Sequence, residues 1–138
     1  MSAPSAVVDT NVFVAALWGS TTCRALLIAL ETRTFELWIS PPLLGELFTV
    51  IERKKFHHRI RAGAIEGLHH VLKRRAHLIQ PTETITVMSD PSDNAVLACV
   101  AAAKPSVLVT GDHGFLELKS FRQTRILGPA EFLAQLSS

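Results

Sequence analysis

Three aspartates stand where a carboxylate can be aimed at a reacting group. Asp9 closes the apolar run Val7-Val8, and Asp112 follows Val107-Leu108-Val109 through Thr110-Gly111. Asp93 opens an alanine-rich stretch that continues to Ala103. Carboxylate oxygens are hard ligands suited to Mg²⁺ or Mn²⁺, and Mg²⁺ keeps several of its waters, so a few acids can anchor it. A cation held this way orients water for in-line attack on phosphorus and offsets charge on the leaving oxygen; two cations roughly 4 Å apart would divide those tasks. Taken singly, each acid also has a plain structural reading. Asp9 and Asp112 suit turns, and Asp93 suits the first turn of a helix, whose dipole favours an anion.

The elements around these acids decide whether they can meet. Val7-Val8 reads as a strand, with Asn11 placed to cap a helix whose apolar residues Val12, Phe13, Ala16 and Leu17 recur at helical spacing. After Gly19-Ser20, Thr22 can cap a helix over Cys23 to Leu30, and Phe35 to Ile39 is strand-like in composition. Ser40 before Pro41 predicts an N-cap with proline in the first turn. The stripe Leu43, Leu44, Leu47, Phe48 and Ile51 continues that helix and leaves Glu46 on its flank. Ala62 to Ala76 is a further amphipathic helix, followed by short extended pieces at Leu78-Ile79 and Ile85 to Met88. Ser92 is the expected cap of the helix from Asp93 to Ala103, which Pro105 ends. After the Val107 to Val109 strand come a short helix (Phe115 to Leu118), a strand (Arg125 to Leu127) and a last helix from Pro129.

Strands alternating with helices predict a parallel sheet covered on both faces. In such sheets ligands bind beyond the carboxyl ends of the strands, at the point where the strand order reverses. Asp9 and Asp112, each just past a strand, are therefore expected in one crevice, with Asp93 at its mouth. Asp90, in the pair Asp90-Pro91, is read as an ordinary turn before the helix.

Composition sets the bounds. A chain of 138 residues with 48% hydrophobic residues fits one domain with its own core and is too apolar for a disordered tail. The longest apolar stretches fall short of the ~20 residues that span a bilayer, and no basic segment followed by an apolar run opens the chain. The expectation is a cytoplasmic protein with no membrane partner. Cys23 and Cys99 sit among apolar neighbours and read as buried thiols, not as a disulfide or zinc framework. Trp18 and Trp38 are assigned by default to core packing, with a subunit interface as the other use.

Positive charge is local. Eight of the fourteen Lys and Arg residues lie between Arg53 and Arg75, and His57, His58, His69 and His70 fall in the same stretch, with His77 just beyond. Arg53, Lys54, Lys55, Lys73, Arg74 and Arg75 are the candidate phosphate contacts, though runs of this kind also occur as solvated helix faces.

Four segments, taken together and in order, resemble the PIN-domain family: Val7-Val8-Asp9-Thr10-Asn11-Val12, Ser40-Pro41-Pro42-Leu43-Leu44-Gly45-Glu46-Leu47, Ser89-Asp90-Pro91-Ser92-Asp93-Asn94 and Val107-Leu108-Val109-Thr110-Gly111-Asp112. The closing Ile126-Leu127-Gly128-Pro129-Ala130-Glu131-Phe132-Leu133 is similar to the ending of the VapC-like subgroup. The resemblance implies a three-layer α/β/α sandwich with a mostly parallel, five-stranded sheet. It also implies a Mg²⁺- or Mn²⁺-dependent ribonuclease acting on RNA, often a toxin held by an antitoxin protein and often a homodimer. By motif matching the catalytic, metal-binding acids fall on Asp9, Glu46, Asp93 and Asp112. Thr10 or Asn11 matches the residue that supports the first of them, and Asn94 and Thr110 are further supporting positions. Where many members carry another acid two positions after the fourth, this chain has Gly114, which leaves a second metal open. The other readings of such a chain are a nucleic-acid-binding module with little or no catalysis and an RNA-processing nuclease without an antitoxin. A haloacid-dehalogenase-type phosphatase would want a second Asp where Asn11 stands, and the spacing of a calcium-binding EF-hand is absent.

Overall fold

A computed structural model describes residues 3–55 and 60–137. His57 and His58, part of the basic stretch read from the sequence, lie outside the described residues, as does Arg59. The chain runs β1 (Ser5–Val8), α1 (Thr10–Leu17), α2 (Thr21–Glu31), β2 (Glu36–Ile39), α3 (Pro41–Lys54), α4 (Ala64–Arg75), β3 (Ala76–Leu78), α5 (Pro91–Ala103), β4 (Val107–Val109), α6 (His113–Leu118), β5 (Ser120–Phe121), β6 (Thr124–Leu127) and α7 (Pro129–Leu136).

The strands form one sheet in the order β3-β2-β1-β4-β6-β5, parallel throughout except for β5 against β6. The chain leaves β1 toward β2 on one side, and β4 takes the place on the other, so the strand order reverses between β1 and β4. Side chains of those two central strands alternate between faces, as the period of a strand requires. Ala6, Val8, Val107 and Val109 pack into a core with α1, α2, α3, α4 and α7, while Val7 and Leu108 pack on the opposite side against α5 and α6. Both central strands are therefore apolar and buried from Ala6 to Val8 and from Val107 to Val109, which is why their sequences read as continuous runs. Helix α5 is buried from Val96 through Ala101, consistent with a helix clamped between the sheet and its neighbours. Among the described residues no single helix is long and apolar enough to cross a membrane.

The sequence expectations fail where local signals compete. The sheet has six strands, the sixth being the two-residue β5, too short to leave a pattern of its own. Ile85 to Met88 forms no strand. The extended piece expected at Leu78-Ile79 begins at Ala76, which pairs with Leu37 instead of ending α4. Caps lie earlier than expected in three helices. Ser20 rather than Thr22 caps α2 by accepting from the Cys23 amide at 3.2 Å. Asp90 rather than Ser92 caps α5 by accepting from the Ser92 amide at 2.9 Å, since Pro91 suits the first helical position. Asn11 lies inside α1, with Asp9 at the N-cap position. Ser40 does cap α3, accepting from the Leu43 amide at 3.3 Å. Trp18 is 36% exposed with the Lys54 ammonium 5.4 Å above its ring, so it is not a core residue; Trp38 is partly buried and stacks on His77. Cys23 and Cys99 are both free and buried.

Candidate active site

The end of β1 and the end of β4 are tied together by side chains that also hold Asp9. Asp9 is 6% exposed, and its amide donates to the Val109 carbonyl at 2.9 Å. Its Oδ2 accepts from the Thr110 hydroxyl at 2.9 Å and from Asn11 Nδ2 at 3.1 Å. The fully buried Thr110 hydroxyl in turn accepts from the Asp112 amide at 3.1 Å, and Asn11 Oδ1 accepts from the Gly111 amide at 3.4 Å. Two positions 101 residues apart thus meet in one hydrogen bond, because β1 and β4 are neighbours in the sheet. Of the two support positions, Asn11 holds Asp9 through its side chain, while Thr10 contributes its backbone amide.

Asp93 stands in the first turn of α5 with its amide on the Asp90 carbonyl at 3.1 Å. Asp112 occupies the N-cap of α6, where its Oδ2 accepts from the Phe115 amide at 3.2 Å. Asp9, Asp90 and Asp112 all take N-cap positions, so three helices present their amide-rich ends to this mouth. Glu46 lies half-buried on α3.

The acids feel one another. Burial, with the negative fields of Asp93 and Asp112, pushes the Asp9 carboxyl up to about 6 from its ordinary 3.8, against the lowering effect of the Thr110 and Thr10 hydrogen bonds. Asp93 is raised by burial and by Asp90, Asp112 and Glu46. No ion pair among the described residues reaches Asp9, Glu46, Asp93 or Asp112. Among the described residues no three acid, histidine or cysteine side chains close to within reach of one ion. The donor set nonetheless suits a hard divalent cation, which would neutralise charge that no lysine or arginine among the described residues pairs with, and Mg²⁺ needs few direct protein ligands.

Gly114 has a local reason. A Cβ there would lie 3.1 Å from Asp112 Oδ2 and 3.6 Å from the Met88 methyl, so any side chain crowds the carboxylate that caps α6.

The basic candidates divide. Arg53, Lys54 and Lys55 end α3, and at about 1.5 Å rise per residue Arg53 lies some 10 Å along the helix from Glu46. Lys55 pairs with Glu52. Lys73, beside an apolar cleft between α3 and α4, is exposed. Arg74 and Arg75 precede β3 at the amino edge of the sheet, away from the acids, where both bind Glu31 at the end of α2.

The arrangement is an α/β sandwich with acids at its strand-order reversal, where open sheets of this kind bind ligands. The PIN domain family model matches residues 5–114. The chain belongs to the PIN-domain family, whose members are generally nucleases. Its fold is similar to a chain in the crystal structure of VapBC2 from Rickettsia felis bound to a DNA fragment from their promoter. The TM-score is 0.60 at 16% identity, covering 90% of this chain and 98% of that one. A search of the curated proteins found no significant match.

Proposed function

We propose that this protein is a metal-dependent endoribonuclease that cleaves RNA phosphodiester bonds and serves as the toxin of a type II toxin–antitoxin pair. The observation that carries the nuclease reading is the group of carboxylates at the strand-order reversal, in which burial with Asp93 and Asp112 raises Asp9 to about 6 and burial with Asp90, Asp112 and Glu46 raises Asp93, with no ion pair to any of the four among the described residues. Mg²⁺ or Mn²⁺, when bound, supplies Lewis-acid polarisation and offsets charge on the phosphoryl group. Asp9 and Asp93 are the proposed direct ligands. Glu46 and Asp112 bind the cation directly or through water, or orient the attacking water. Thr110 and Asn11 hold the Asp9 carboxylate in one orientation, so the acid needs no rearrangement when the cation arrives. Arg53, Lys54, Lys55 and Lys73 are the proposed RNA backbone contacts on the α3 and α4 side. The toxin reading and an antitoxin partner take their support from the likeness to a chain of the VapBC2 complex; a homodimer and a cytoplasmic location go with that reading.

One observation favours a second reading. The acids do not close to a three-ligand cluster, as a nucleic-acid-binding member with little catalysis would show. Purified protein incubated with RNA, single-stranded DNA and a simple phosphate ester separates the two. RNA cleavage in Mg²⁺ or Mn²⁺ that stops in EDTA is expected, with an Asp9→Asn preparation as the control for contaminating nuclease. RNA binding without cleavage under every metal would establish the second reading.

A further inference from the structure

The twelve residues from Ile79 to Asp90 carry no helix or strand, yet they lead directly into the turn that presents Asp93. Their last part is held by a side chain from the helix they enter. Asn94 Nδ2 donates to the Met88 carbonyl at 2.7 Å, and Asn94 Oδ1 accepts from the Met88 amide at 2.8 Å. One carboxamide thereby satisfies both main-chain groups of one residue, as a neighbouring strand would, and closes residues 88–94 into a ring. Inside the ring, the Asp90 carbonyl accepts from the amides of Asp93 and Asn94 at 3.1 and 3.2 Å. On its outer side the Met88 methyl lies against Gly114, whose missing Cβ would crowd Asp112 Oδ2. The ring therefore carries Asp93 and, through Met88, borders Gly114 two residues beyond Asp112.

We propose that Asn94 is a positioning residue for the cation-binding acids: by pairing with both main-chain groups of Met88 it fixes where Asp93 stands and sets its spacing from Asp112. This rests on the divalent-cation reading above. A carboxamide that only stapled a loop would contribute to stability and leave the affinity for cation alone. A partner that orients a ligand costs about 10- to 100-fold in metal affinity when removed.

The test is Mn²⁺ binding by calorimetry on the full chain, with the melting curve of the metal-free protein and the Mn²⁺ dependence of RNA cleavage. Asn94→Ala is expected to weaken Mn²⁺ binding about 10-fold and to move the Mn²⁺ midpoint of cleavage by the same factor, with kcat at saturating Mn²⁺ within about threefold of the parent. Asn94→Gln keeps a carboxamide but displaces it by one methylene, so it guards against a variant that fails to fold. It is expected to weaken Mn²⁺ binding while melting closer to the parent. Variants that lose stability yet bind Mn²⁺ with parental affinity would make Asn94 a loop staple and overturn the proposal alone. A parent protein that binds no Mn²⁺ would overturn it together with the cation reading.

Discussion

The two edges of the sheet carry opposite charge, and among the described residues ion pairs form at the amino edge but none reaches the acids of the carboxyl edge. At the carboxyl edge Asp9, Asp93 and Asp112 meet helix N-termini; at the amino edge Arg33, Arg74, Arg75 and Lys104 stand at the ends of α2, α4 and α5. The same rule sorts both, since helix N-termini favour anions and C-termini cations. What differs is partnership. Arg74 pairs with Glu31, Arg75 donates to the Glu31 carbonyl, and Arg122, in the β5–β6 turn, forms a two-pronged bond with Glu83 at 2.8 and 2.9 Å. The acids accept hydrogen bonds from neutral donors, Asn11, Thr110 and the Phe115 amide, and no ion pair among the described residues reaches them. Concavity points elsewhere, because a cavity of about 520 Å³ between the end of α5 and the β5–β6 turn lies on the amino edge. Charge left without an ion pair, rather than the volume of a cleft, marks the candidate site.

The strongest way to break this contrast is through Asp9. Its folded pKa of about 6 lies above the ordinary 3.8, so the folded state takes up a proton before the unfolded chain does. Above about pH 6 both states are ionised and the fold bears the whole cost, about 3 kcal/mol. As pH falls from 6 toward 4 the folded carboxyl protonates and that cost disappears. Metal-free protein is therefore expected to gain stability from this group on going from pH 7 to pH 4. Asp9→Asn, which keeps an oxygen for Thr110 and Asn11, should be more stable than the parent at pH 7 and lose that part of the pH dependence. Urea unfolding in EDTA at both pH values measures it; matching pH profiles for parent and variant would mean that Asp9 bears no such cost.

A smaller effect is expected at Asp93, which is only partly buried. Asp93→Asn should stabilise the metal-free protein by about 0.5 kcal/mol, a figure discounted for solvent screening, and abolish most of the stabilisation that Mg²⁺ confers on the parent. Melting curves with and without Mg²⁺ decide it. If parent and variant respond alike to Mg²⁺, Asp93 does not belong with the other acids.

The mildest comparison sets the two basic groups against each other. Replacing Arg53, Lys54 and Lys55 by Ala should reduce the slope of log affinity for single-stranded RNA against log salt by about 2, from about 0.7 per lost phosphate contact. Replacing Arg74 and Arg75 should leave the slope unchanged and instead lower the melting temperature, because Glu31 loses both partners. The reverse pattern would place the RNA on the amino edge.

Much of this was legible from residues alone, because it rests on local signals. The runs Val7-Val8-Asp9 and Val107-Leu108-Val109-Thr110-Gly111-Asp112 declare buried strands with an acid beyond each, and Ser40-Pro41 declares a helix start that carries Glu46 onto its flank. The parallel α/β class and the gathering of the acids at one edge follow from those signals and the order of elements. Other features were decided only when distant segments met. β3 begins at Ala76 because Leu37 is there to pair with it, and β5 exists only against β6. Thr110 reaches Asp9 because the sheet sets β1 beside β4, and Asn11 rather than Thr10 supplies the side chain because Gly111 and Asp9 both lie within its reach. The caps moved because prolines and chain entry angles, not side-chain type alone, select the first helical residue. Arg74 and Arg75 stand apart from the acids because α4 ends at the amino edge, a matter of helix direction that charge spacing does not encode. The bond between Asn94 and Met88 belongs to the same group: it spans six residues of irregular chain, where no hydrophobic period exists to read and only the folded backbone brings donor and acceptor together.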